Sequence, residues 1–242
     1  MIKSPILKSI LAFLILILLS VTVLKSDLIY SMELLFVPAL TILFLITNKD
    51  KSFFFTSFLV VFSISNIISL FDGDSFNETF YFLCDGLYIL AYILLLLEIF
   101  RTIKIRELVK NHIGQILILL VLDGFVVYAL TALINPIDFV TNVINYVRLI
   151  EHVFNLVLLF VFNISFLNYL QKNNNRALLM FIGCLAITFS EILIIGYYYF
   201  SENEILNIFS IFLMVSAFVL FYYQSTLSDD PESIDFLQKW ND

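Results

Sequence analysis

The chain has 242 residues, 61% of them hydrophobic and only 14% charged, and its mean hydropathy is +1.00. So few charged residues cannot clothe a soluble domain of this size, and the sequence reads as an integral membrane protein. Twenty-seven Phe against six Gly and four Pro, with no alternating strands set between polar turns, excludes a transmembrane barrel and leaves helical spans.

In chain order, eight apolar runs are each long enough to cross about 30 Å of hydrocarbon: roughly 6–24, 28–46, 52–71, 80–100, 113–134, 142–168, 177–200 and 204–225. The first follows Lys3 and Lys8 as a signal peptide would, but a small-x-small cleavage site is missing and the run is expected to be retained. Short polar connections separate the runs, among them "TNKDK", "DGDSFNE", "RTIKIRELVKNH", "NPID" and "QKNNNR". None is long enough to fold separately. Residues 1–225 therefore read as one all-α, polytopic transmembrane bundle of eight helices, followed by an acidic tail, 226–242. In the tail, Pro231 opens either a short interfacial helix carrying Ile234, Phe236, Leu237 and Trp240 or a disordered acidic segment.

All but two of the 13 lysines and arginines fall in alternate segments: Lys3, Lys8, Lys49, Lys51, Arg101, Lys104, Arg106, Lys110, Lys172, Arg176 and Lys239. The exceptions are Lys25, on the opposite side, and Arg148, within a run. This partition supports an even number of spans and places both termini in the cytoplasm. The net charge of −7 does not oppose it, because acidic residues contribute little to orientation.

Polar residues inside the runs collect towards the outer ends. Glu33 lies in the second run, Asn66 beside Ser65 in the third, and Asp85 in the fourth, where Tyr88 and Tyr92 are i,i+4 neighbours and candidates for lining a cavity. Asp123 falls near the middle of the fifth run and Glu191 near the middle of the seventh. A carboxyl at that depth must pair, be hydrated or carry its proton. The sixth run opens with "NYVRLIEHVFN". At about 100° per residue, Asn145, Arg148, Glu151, His152 and Asn155 share an arc of roughly 120° on one helix face. Five such groups are expected to face protein or water, either as a site or as a structural set in which Arg148 and Glu151 pair at i,i+3. Tyr146 adds a hydroxyl at this outer end, and Tyr197 to Tyr199 fit an interfacial aromatic belt. Cys84 and Cys184 lack metal-ligand spacing and read as small core residues, while Glu98 and Asn163 read as boundary and packing residues. No zinc site, phosphate loop, dinucleotide fingerprint or nucleic-acid patch is present, so no metal, cofactor or nucleic-acid partner is expected.

These segments resemble the YhhN-like membrane proteins, which include the lysoplasmalogenases. "LLFVPALTILFL" keeps a proline, Pro38, in the second helix; "FSISNIISLF" falls where the family has Gly-Asp; "CDGLYILAYILLL" keeps Gly86 and Ala91; and "GCLAITFSEILIIGYYYF" carries Ser190-Glu191 in the seventh helix. The chain departs from the family pattern at Val37, where a lysine is expected, at Ser65-Asn66, and at Tyr92, where a histidine is expected. The resemblance implies eight helices with cytoplasmic termini, and hydrolysis of the vinyl ether bond of a lysolipid. That chemistry needs an acid to protonate the alkenyl carbon and a group to set water against the oxocarbenium. Glu191 is then the expected acid/base and Asn66 positions water. Glu151, His152 or Asp85 supplies the compensating acid, and Arg148 contacts the lipid phosphate. Asn155, Asp123, Tyr88 and Tyr92 complete the expected substrate contacts, and the partner is a membrane lipid or lysolipid. A bundle that binds or senses lipid without turnover is the alternative, and a small transporter using the same buried charges is a second one.

Overall fold

Seven helices, and no strand, make up the described residues of the computed structural model, which are 28–48, 51–71, 78–134, 143–199 and 204–227. They are α1 (Leu28–Thr47), α2 (Phe53–Ser69), α3 (Glu78–Phe100), α4 (Ile105–Ile134), α5 (Val143–Lys172), α6 (Asn175–Tyr199) and α7 (Glu204–Ser225). In order, they match the second to eighth apolar runs. The first run and the acidic tail beyond residue 227, with its expected interfacial helix, lie outside the described residues. Helices α3 to α7 are long and apolar enough to cross a membrane, and α1 and α2 hold shorter apolar stretches, Leu34–Thr47 and Phe53–Ser69. This set of helices fits an integral membrane protein.

Two connections are shorter than the sequence suggests. The segment "RTIKIRELVKNH" is already helical from Ile105, with a kink at His112 (φ −127°, ψ 26°). Its charged residues Arg106, Glu107 and Lys110 are exposed while Leu108 is buried beside Leu119 and Leu167, so one apolar position per turn is enough to hold a helix there. The "QKNNNR" connection shrinks to Asn173 and Asn174. Asn173 takes the left-handed conformation (φ 45°), which asparagine tolerates, and Asn174 Oδ1 accepts the Ala177 N–H at 2.8 Å as an N-cap.

Neighbour packing runs α1–α2–α3–α5–α6–α7 and returns to α1, so six helices form a closed ring, with α4 packed principally on the outside of α5. The seam between α7 and α1 is fastened by Thr47 and Tyr222, whose hydroxyls lie 3.2 Å apart, and by Asn48 Nδ2 donating to Ser225 Oγ at 2.6 Å. Inside, Phe58 stacks on Phe218 (centroids 5.8 Å apart) and meets Phe221 edge-on, joining α2 to α7. In a bilayer such fits, rather than expulsion of water, hold helices together. On α4, Ile118, Val121 and Phe125 are two-thirds or more exposed, as suits a surface meeting hydrocarbon.

Candidate functional site

One face of α3 organises the site. Tyr81, Asp85, Tyr88 and Tyr92 follow one another at spacings of four, three and four, which keeps them within an arc of roughly 60°. Each tyrosine hydroxyl donates to a different helix. Tyr81 reaches Glu151 Oε1 on α5 at 3.3 Å, Tyr88 reaches Asn66 Oδ1 on α2 at 2.8 Å, and Tyr92 reaches Glu191 Oε1 on α6 at 3.2 Å. The Tyr81 hydroxyl also interacts with Asp85, one turn on.

These groups surround a cleft of about 640 Å³ at the end of the ring where α1, α3, α5 and α7 begin. Asp85, Glu151 and Glu191 line it together, and among the described lining residues there is no lysine, arginine or histidine. Its polar surface is thus acidic and hydroxylated. Phe36, Val37, Phe62, Ile194 and Met214 supply apolar wall, so the space suits an amphiphile better than a small ion.

Asn66 has a second partner with a specific cause. Pro38 has no N–H, so the carbonyl of Leu34, four residues earlier on α1, lacks its helical donor. Asn66 Nδ2 supplies one from α2 at 3.3 Å. With its Oδ1 taken by Tyr88, this nearly buried amide is bonded at both ends. Ser190, preceding Glu191, is also engaged: its hydroxyl donates to the Ser210 carbonyl at 2.8 Å, and Ser210 returns a bond to the Ser190 carbonyl at 3.0 Å, clasping α6 to α7.

Of the residues expected from sequence, Asn66, Asp85, Tyr88, Glu151, Asn155 and Glu191 line the cleft. Tyr92 is fully buried and stands behind Glu191 as its donor. His152, half-buried one position from Glu151, is not among the lining residues. Asp123 is elsewhere, on α4, where it accepts a hydrogen bond from Asn163 of α5. The side chains of Glu33, Asn145, Tyr146 and Arg148 lie outside the described part of the structure. Tyr81, Tyr197 and Asn207 line the cleft although the sequence did not single them out for it. Tyr81 was detectable, standing one turn before Asp85 on the face shared by Tyr88 and Tyr92. Among the described residues, no three histidine, cysteine or acidic side chains are grouped to hold a metal ion. No protein-family model matches the chain, and no curated protein or solved structure matches it.

Proposed function

We propose that the protein is a membrane lipid hydrolase of the lysoplasmalogenase-like kind, acting by general acid/base chemistry on an ether-linked or vinyl-ether lysolipid held in the acidic cleft. The observation that supports this most is that Glu151 and Glu191, from different helices, face one amphiphile-sized space while each accepts a hydrogen bond from the tyrosine stripe of α3. In the proposed reaction, one carboxylic acid protonates the distal alkenyl carbon of the vinyl ether. The other carboxylate takes a proton from water as its oxygen adds to the oxocarbenium carbon. Collapse of the resulting hemiacetal breaks the carbon–oxygen bond and releases an aldehyde and a glycerophospho-headgroup, with one water consumed. Glu191 and Glu151 fill the two acid/base roles, and Asp85 shares a hydroxyl with Glu151. Arg148, three residues before Glu151 on α5, is the proposed phosphate contact. Following the distribution of basic residues, the cleft opens on the non-cytoplasmic side.

A second reading, lipid binding without turnover, is favoured by Asn66. Where the resemblance expects an aspartate, this amide is committed to the Leu34 carbonyl and Tyr88. The deciding experiment measures aldehyde release from a lysoplasmalogen by the purified protein in nanodiscs, with an ester lysolipid as comparison. Release that is lost in Glu191→Gln and Glu151→Gln supports the hydrolase. Saturable lipid binding with no aldehyde from the wild-type protein overturns it in favour of the binding reading.

A further inference from the structure

At the opposite end of the ring there is a second cavity, of about 520 Å³, with the reverse charge. Lys51 stands before α2, Arg101 just after α3, Lys172 at the end of α5 and Arg176 in the first turn of α6, so four separate segments each bring one cation to its wall. The sole carboxylate among the described lining residues is Glu98. It accepts hydrogen bonds from Ser52 and, at 3.2 Å, from Arg101 Nη2. The formal excess is therefore three positive charges around one depression. Phe44, Phe55, Ile99 and Met180 are buried apolar lining residues, while Thr102, Asn168, Asn174 and Gln224 add neutral polar groups.

Orientation in a membrane would by itself place basic residues at this end of the bundle. It does not require them to surround one cavity, and Arg106 and Lys110, at the same end, do not line it. Two helix starts also meet here. Ser52 is the N-cap residue of α2 but makes no side-chain cap bond, because its hydroxyl is turned to Glu98. The first turn of α2 thus keeps its positive end without a side-chain cap, beside the start of α6. Guanidinium groups, two ammonium groups and the amino end of α2 form the donor set that matches tetrahedral phosphate oxygens. The cavity is several times larger than a phosphate ion and has apolar residues in its wall, which suits a phosphate carried on an organic headgroup.

We infer that this basic cavity is a binding site for a phosphate-bearing anion, either the headgroup of an anionic lipid or a soluble phosphate ester. It is separate from the acidic cleft, and its occupancy does not depend on whether the cleft is catalytic. Binding is measured by thermophoresis on the full chain in neutral detergent. One arm titrates inorganic phosphate, and the other titrates phosphatidic acid added to the micelles against phosphatidylcholine.

Saturable binding in either arm that weakens roughly tenfold or more in Lys172→Gln/Arg176→Gln, as loss of charge-assisted hydrogen bonds requires, supports the site, and the responding arm identifies the source. Arg101→Gln, at an exposed position, provides the same test if the double variant fails to fold. Glu98→Gln, which removes the one described carboxylate, is expected to tighten binding. Arg106→Gln/Lys110→Gln removes the same charge outside the cavity and should leave affinity unchanged. Equal weakening by the two double variants would reduce the site to general surface charge. That result, or no binding of either probe to the wild-type protein, overturns the inference.

Discussion

Asn66 on α2 donates to the carbonyl of Leu34 on α1, the group that Pro38 leaves without a helical partner. The donor that Pro38 lacks is thus replaced from a neighbouring helix, so proline and asparagine form one structural unit across two helices. Asn66→Ala is expected to cost about 1–3 kcal/mol, the penalty for leaving buried polar groups without partners. In a Pro38→Ala background the helix can supply the donor itself, and the same substitution should cost less. A double-mutant cycle on detergent-solubilised protein, followed by thermal unfolding, reads the coupling directly. Additive effects would mean that the carbonyl is satisfied in another way.

Tyr92→Phe removes only the hydroxyl that Glu191 Oε1 accepts and keeps the ring that meets Phe62 and Phe154 edge-on. The expected loss is about 1 kcal/mol, since a part-buried carboxylate oxygen loses one donor. If Glu191 is the working acid/base, aldehyde release should fall further than this small stability change explains. Thermal unfolding and turnover measured on the same preparation separate the two effects.

The resulting contrast indicates what the sequence can convey. The α3 stripe is legible because Asp85, Tyr88 and Tyr92 recur at helical spacing in an apolar run, and the same geometry extends to Tyr81. Helical spacing likewise placed Glu151, His152 and Asn155 near one face, yet only Glu151 and Asn155 line the cleft. One residue step turns a side chain by about 100°, and the neighbouring helix decides which edge of a broad arc is enclosed. The partner of Asn66 was not legible either. It is a backbone carbonyl freed by a proline in another helix, so composition carries no trace of it. The start of α4 was hidden for a different reason: its charged residues are exposed, so hydropathy falls there although helical hydrogen bonding continues.

Gly183 on α6 allows Phe221 of α7 to approach so closely that an added Cβ would overlap the Phe221 ring. Gly183→Ala should therefore destabilise the protein by roughly 1–3 kcal/mol through overpacking. Gly86→Ala is the control, because nothing lies within 4 Å of where its Cβ would be. Similar unfolding temperatures for the two variants would mean that the α6–α7 contact relaxes without cost.

Asp123 and Asn163 join α4 to α5 through a side-chain hydrogen bond. Asp123→Asn retains a hydrogen-bonding group, whereas Asn163→Leu leaves the carboxyl of Asp123 without this donor. The leucine variant is expected to loosen α4 by about 1 kcal/mol, the scale of polar contacts between membrane helices, while the asparagine variant changes little. Protease sensitivity of the connection between α3 and α4 provides the measurement. Equal sensitivity in the two variants would assign the hold on α4 to apolar packing alone.

The seam between α1 and α7 has a consequence for biosynthesis. Thr47 and Asn48 leave the ribosome long before Tyr222 and Ser225, the residues they meet. Until α7 is inserted, the other described helices form only an open arc, and both cavities lack the wall that carries Ser210 at one end and Gln224 at the other. A nascent chain stalled before α7 therefore carries every described carboxylate of the acidic cleft and every described cation of the basic cavity, without the α7 wall of either. The walls of both cavities are completed in one late event.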